Sequence, residues 1–324
     1  MNRTLQTVSI DEFYASIVDW KWVPFTQDKH WLLSLVSADT LQFFLDIQHG
    51  IACAGFIKKK YNLNMLCVYG ECRRQEIVRY QDVVDFWRQI LGCGYDIYEI
   101  NLDSYYNPID EIGLREAGFL RPIGMFSTTL SKIINLGNIT FDHNWLRNLK
   151  HVAQYNLSFE VVEKPNKEDI RQYVEMHNEM TKRKGFNDNL SYEQLSKLVG
   201  EDSHFMMCRI RTSDNEIVAS GIIYRRGKEA KFIYSTTTLA GRNLSASYAL
   251  YQGIFTYLHQ TDTELFDMGR LSPSTHIKNN LFTFKDGVRG DYVQYQGEWL
   301  WCRKKWMPIV LYFMKKYIWK RVQV

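Results

Sequence analysis

Residue types suited to chemistry stand at a few places in this chain. Asp267 closes the short apolar run Leu265-Phe-Asp-Met268, and strand ends commonly deliver site residues in α/β folds. A carboxylate there can take a proton or orient a nucleophile, and can equally cap the loop leading to Pro273. Arg270 follows closely, and Arg183 stands in Arg183-Lys-Gly185-Phe186; either guanidinium can hold a phosphate bidentately or serve an ordinary salt bridge. The chemistry indicated is proton transfer beside anion binding. There is no G-x-S-x-G elbow and no evident Cys/His pair, so a covalent enzyme intermediate is not expected. The histidines include no H-E-x-x-H; His143, His151, His177 and His276 are isolated, and no metal is expected. Cys53, Cys67, Cys72, Cys93, Cys208 and Cys302 form no C-x-x-C pair and read as reduced, mostly buried thiols.

The elements that must position these groups follow from length and pattern. A chain of 324 residues that is 45% hydrophobic, with six prolines, fits two ordinary domains and has no room for a long disordered tail. Forty Lys+Arg against 36 Asp+Glu give a formal charge of +4, so any anionic partner must be met by a local patch. The opening MNRTLQTVSIDEFY lacks an apolar core of the secretory kind, and a cytoplasmic protein is expected. No apolar run approaches the roughly 18 residues that a spanning helix needs.

An internal repeat organises the chain. Ile51-Ala-Cys-Ala-Gly55-Phe-Ile reads as a strand with small residues at its centre and is followed by Lys58-Lys-Lys60; Ile217-Val-Ala-Ser-Gly221-Ile-Ile reads alike and is followed by Tyr224-Arg-Arg226, 166 positions later. Tyr98-Glu-Ile-Asn-Leu102 begins 43 residues after Gly55, and Leu265 stands 44 residues after Gly221. Helical spacing recurs between them, around 78–91 and 247–259, and each half ends in a helix-and-turn signal, Leu114 to Phe119 and Leu281 to Val288. Two copies of a strand, strand, helix, strand, helix unit are implied. A helix near 142–155, a strand at 157–162 and a helix at 167–184 place the boundary near 150: domains 1–150 and 151–300, then a C-terminal helix at 301–324. Small residues at a strand centre imply close approach, either of a ligand or backbone or of a crowded helix.

In this order and spacing the chain resembles the Fem-type transferases, a duplicated version of the GNAT acyltransferase fold. The resemblance rests on Val23-Pro-Phe25-Thr-Gln27 with Trp31, on the strand at Gly55, and on Leu114 to Phe119. In the second half it rests on Arg183-Lys-Gly185-Phe186, Gly221, Phe266-Asp-Met-Gly269, and Phe284-Lys285 before Gly287. It implies an α/β (α+β) fold of two tandem GNAT-like domains, each a mixed sheet splayed at its centre and flanked by helices. It also implies an activity: transfer of an acyl or aminoacyl group to an amine by direct attack on the activated donor.

Several roles follow from the resemblance. Lys285 and Asp267 become the catalytic pair, with Lys285 supplying positive charge near the oxyanion and Asp267 handling the amine proton. Arg183, Arg270, Tyr234 and Phe284 become substrate contacts. The family's coenzyme A enzymes hold pyrophosphate in a Gln/Arg-x-x-Gly-x-Gly/Ala turn; here Arg242-Asn-Leu-Ser245-Ala-Ser247 carries serine at both glycine positions. This departure favours aminoacyl-tRNA over acyl-coenzyme A as donor, with Arg242, Ser245 and Ser247 at the donor end or the serines simply capping the next helix. No tightly bound cofactor is implied. The partners implied are a cell-envelope saccharide precursor and charged tRNA. The tail from Trp301 to Arg321 mixes aromatics with seven basic residues and suits contact with an anionic membrane, or docking on the core with a solvated basic face. Competing readings are an acyl-coenzyme A N-acyltransferase of an amino sugar or small amine, and a non-catalytic module that binds membrane or RNA.

Overall fold

The computed structural model describes residues 4–60, 62–75, 79–124, 129–185, 189–272 and 280–318. Two compact units emerge, one of Met1–Thr129 with Gln294–Val324 and one of Leu130–Val293. The first unit contains β1 (Gln6–Val8), α1 (Ile10–Ser16), α2 (Lys29–Leu35), β2 (Leu41–Asp46), β3 (Ile51–Lys60), β4 (Leu63–Tyr69), β5 (Cys72–Arg73), α3 (Tyr80–Leu91), β6 (Ile97–Tyr105) and α4 (Pro108–Glu116). The second contains β7 (Leu130–Asn135), α5 (His143–Val152), β8 (Ser158–Val162), α6 (Lys167–Lys184), α7 (Tyr192–Leu198), β9 (Phe205–Arg211), β10 (Ile217–Arg226), β11 (Glu229–Thr237), α8 (Leu239–Asn243), α9 (Ala246–Gln260), β12 (Leu265–Asp267) and α10 (Asn280–Asp286). The chain closes with β13 (Asp291–Cys302) and α11 (Met307–Phe313).

The sheet of the first unit runs β1-β2-β3-β4-β6-β13 with β5 beside β3, and that of the second runs β8-β9-β10-β11-β12-β7. The two orders correspond strand for strand, and in each only the central pair, β4 with β6 and β11 with β12, is parallel. The sequence repeat is therefore a structural one. Its last strand is exchanged: β7 follows α4 in the chain yet pairs antiparallel with β12, while β13 follows α10 yet pairs antiparallel with β6. For this reason the division falls at Leu130 rather than near 150, and residues 301–324 group with the first unit instead of standing apart.

Local chemistry accounts for the elements. Ile51 to Phe56 of β3 are all buried, as befits a strand covered on both faces. α6 spans the range its pattern predicts: Asn166 caps it in a box with Asp169, Lys182, Arg183 and Lys184 stand in its negative last turn, and Gly185 ends it at φ +70°. The small residue at the centre of β10 answers crowding, not a ligand. A Cβ on Gly221 would lie 3.0 Å from the Phe232 ring and 3.4 Å from Leu250 of α9. Phe232, Tyr251, Phe255, Phe266 and Trp145 belong to the core of the second unit, and Phe86, Trp87, Tyr98, Phe119 and Trp299 to that of the first.

In each unit one strand of the parallel pair outruns the other. β4 and β6 pair from Met65↔Ile97 to Tyr69↔Asn101, after which β6 continues to Tyr105. β11 and β12 pair only from Glu229↔Leu265 to Lys231↔Asp267, after which β11 continues to Thr237. In the first unit the chain itself bridges the neighbouring gap, between β3 and β4. The Gln27 amide donates to the carbonyls of Ala54 (3.0 Å) and Tyr69 (2.7 Å) and accepts from Ala54 N–H (2.5 Å), joining β3 to β4 where their ladder stops. Gln27→Ala would leave these buried backbone groups unmet, and it is expected to destabilise the first unit by about 2–4 kcal/mol, measurable by chemical denaturation.

Candidate active site

Beyond Lys231↔Asp267, among the described residues, β11 has no pairing with β12, and a bulge at Ile233 interrupts its register with β10. Charged groups collect where the strands part. Lys231 and Asp267, the last rung, form an ion pair (Nζ to Oδ2, 3.3 Å). The other oxygen of Asp267 accepts from the Ser131 hydroxyl of β7 (2.5 Å) and from Gly269 N–H (2.8 Å). Gly269 makes this turn at φ +77°, which a side chain would strain, and a Cβ there would stand 3.1 Å from the Phe232 carbonyl oxygen and 3.4 Å from Lys285 Nζ.

Lys285 joins the cluster from α10. Its ammonium donates to the Arg270 carbonyl (3.1 Å) and is buried. Burial pushes its pKa down from 10.5 to about 8; the Asp267 carboxylate opposes this and the Lys231 ammonium reinforces it. α10 is anchored on both sides of Lys285. Phe284 packs against Trp145, Tyr248 and Tyr251, and its carbonyl accepts from the Trp145 indole (2.6 Å). Buried Lys132 of β7 donates to the Asp286 carbonyl (2.7 Å) and carboxylate (3.0 Å).

At the other end of the parted edge stand three cations. Arg183 donates to the carbonyl of Thr237, the last residue of β11 (2.8 Å), and partial burial together with Arg183 and Arg242 lowers the pKa of Lys184. Arg242 is exposed near the end of α8, just ahead of Ser245 and Ser247. Neither serine caps α9: Ser245 sits at its start at φ +55° with its hydroxyl 3.4 Å from Asn148, and the Ser247 hydroxyl lies 3.0 Å from that of Thr237.

The structure thus brings Asp267 and Lys285 together, and gathers Arg183 with Arg242. It places Tyr234 on the α6 side of β11, edge-on to His177 at 6.0 Å. The Phe284 ring belongs to the aromatic cluster, so its contribution is to fix α10. Phe186 lies outside the described residues. Sequence reading missed Lys231, Ser131, Lys184 and a polar seam under α6. In that seam Tyr173 stacks on His177, and the Tyr173 and Thr236 hydroxyls are buried without hydrogen-bond partners among the described residues. Only Lys231 carried a signal, a charge at an alternating strand position beside an acid. All six cysteines are free, and burial pushes the thiols of Cys67 and Cys208 up to about 12, so neither is a ready nucleophile. Among the described residues no group of three or more His, Cys, Asp or Glu could hold a metal, and no helix is long and apolar enough to cross a membrane.

No protein-family profile and no curated protein matches this sequence. Solved structures do. FemX superposes with a TM-score of 0.73 at 11% identity, over 95% of this chain and 100% of its own. L-PGS from Bacillus licheniformis gives 0.65 at 14% identity, over 97% and 98%. The chain has the Fem-like tandem GNAT fold. A tandem GNAT protein from the clavulanic acid biosynthesis pathway is also similar, with a TM-score of 0.50 at 9% identity over 92% and 98%. At these identities the likeness is one of fold, and the tandem GNAT architecture here carries its charged cluster at the central parting of the second unit.

Proposed function

We propose that the protein is an acyltransferase that moves an aminoacyl group from an aminoacyl-tRNA to an amino group of a cell-envelope saccharide precursor, in the cytoplasm, using the second unit. The observation that carries this reading is the stretch of β11 beyond its last rung with β12, with the Lys231–Asp267–Lys285 cluster at one end and Arg183, Lys184 and Arg242 at the other. A strand edge offers backbone N–H and C=O groups to an extended donor. The acceptor nitrogen attacks the acyl carbonyl carbon, the C–N bond forms, and the C–O bond to the tRNA ribose breaks. The proton leaving the amine ends on the departing ribose oxygen. Lys285 stabilises the oxyanion between these steps. Both oxygens of Asp267 are engaged, so its part is to hold Lys231 and to favour the charged form of Lys285. Arg183, Lys184 and Arg242 take donor phosphates, and Tyr234 and Arg270 face the acceptor.

The donor is tested by thermal shift. Charged tRNA is expected to raise the melting temperature of the wild type and to do so much less in Arg242→Glu. A shift with coenzyme A that Arg242→Glu abolishes would make the donor a thioester, and the absence of any shift with either donor would overturn the transferase reading.

A further inference from the structure

We propose that the C-terminal helical segment of the first unit is a docking face for an anionic bilayer surface. The proposal stands apart from the transferase reading, because it rests on which side chains this segment turns inward and outward.

α11 continues from Phe313 into a π-helical turn, Met314–Ile318. Its inner side is committed to the first unit. Met307 and Leu311 are 4% and 6% exposed and pack with Met65, Ile97 and Leu300, while buried Lys315 pairs with Glu99. The outer side is apolar as well. Trp306, Phe313 and Tyr317 are 55%, 52% and 62% exposed, and Ile309, Val310 and Ile318 are exposed beside them. Positions 306, 309, 310, 313 and 317 recur at helical spacing, so they form one stripe. An amphipathic helix that merely docks on a core would turn charge, not this stripe, towards water.

The charge around the stripe identifies what covers it. Lys304 and Lys305 are exposed just before it, exposed Arg303 pairs with Asp96 (2.9 Å), half-buried Lys316 lies within the stripe, and the sequence has no Asp or Glu after Glu298. Lys304 stands 5.9 Å over the Trp306 ring and Lys316 5.6 Å over the Tyr317 ring, so cations and aromatics share one surface. A second copy of the chain would oppose these cations to themselves across a twofold axis, an unfavourable pairing. An anionic lipid surface neutralises them, takes Trp and Tyr rings at headgroup depth, and lets the lysine stems extend to the phosphates. Each basic residue near such a surface strengthens binding by about fivefold. No described helix is long and apolar enough to span, and the segment lies in the interface plane. Trp319 to Arg321 lie outside the described residues.

The test is flotation of the purified full chain with vesicles of phosphatidylcholine containing phosphatidylglycerol, against phosphatidylcholine alone. The wild type is expected to float with the anionic vesicles and to be released by high salt. Phe313→Ser with Tyr317→Ser, and separately Lys304→Glu with Lys305→Glu, are expected to lower the bound fraction about tenfold. Both pairs face outward, so melting and circular dichroism should match the wild type and show that folding is not the cause. Equal binding to neutral vesicles, or unchanged binding of both variants, would overturn the proposal. So would a concentration-dependent dimer that Phe313→Ser dissolves, which would make the stripe a contact between copies.

Discussion

Replacing Lys285 by alanine is expected to lower kcat for acyl transfer roughly 100- to 1,000-fold while leaving the protein folded, the loss typical of removing one preorganised oxyanion donor. The charge of Lys285 decides the effect. With a pKa near 8, roughly nine-tenths of Lys285 is cationic at pH 7. That form is lost as pH rises through about 8, so the rate should fall there, while the acceptor amine sets the acid limb. Lys285→Arg keeps the cation but cannot release it near 8. It should retain part of the rate and lose the alkaline limb, an outcome that a purely structural role would not produce.

The same burial makes a stability prediction of definite sign. The folded pKa of about 8 lies below the ordinary 10.5, so between these values the unfolded chain holds the proton that the native site has shed. Stability contributed by this group therefore rises with pH across that window, and below about pH 8 its penalty is fully present. Lys285→Met removes the buried charge and should melt higher than the wild type at pH 7 while losing turnover. A variant that keeps wild-type turnover would sink the assignment of Lys285.

The sequence carried the repeat plainly, because a ten-residue strand with small residues at its centre recurs as β3 and β10 in matching order with the next strands. It did not carry the strand exchange. Leu-Ser-Lys-Ile-Ile-Asn of β7 is short and does not alternate apolar with polar, and nothing local says which sheet receives it. Asp267 stood out because it ends a strand and Lys285 because the resemblance places it after Phe284, and the structure brings the two into one cluster. Ser131, Lys132 and Tyr173 were illegible for one reason: each acts through a partner far away in the chain, and a lone polar residue on an apolar strand or helix does not name that partner.

The largest stability effect is expected in the first unit, at the buried triad Glu71–Arg73–Asp110. Arg73 donates from Nε to Glu71 (2.9 Å) and from Nη2 to both Glu71 and Asp110 (2.9 Å to the latter), and all three side chains are buried. Arg73→Leu would leave two carboxylates facing each other without a cation and is expected to cost about 3–5 kcal/mol. Glu71→Gln should be far milder. Burial pushes the Glu71 pKa up, Arg73 only partly reverses this, and Asp110 adds to the rise, so removing the charge, as glutamine does, costs less here than at an exposed carboxylate. A carboxyl raised in this way contributes stability below its unfolded value near 4.5 and loses it as pH climbs through the folded one. Glu71→Gln should therefore flatten the pH dependence of the first unit above that value.

The location of the triad explains why a buried ion group is kept there. The Arg73 backbone exchanges two hydrogen bonds with Trp22, just ahead of the segment that delivers Gln27 to the end of the β3–β4 ladder. Losing Arg73 should loosen that segment first. Hydrogen exchange in Arg73→Leu is expected to rise in β3 to β5 and α4 while peptides of the second unit keep their protection. Loss of protection spread evenly through both units would refute a local role for the triad.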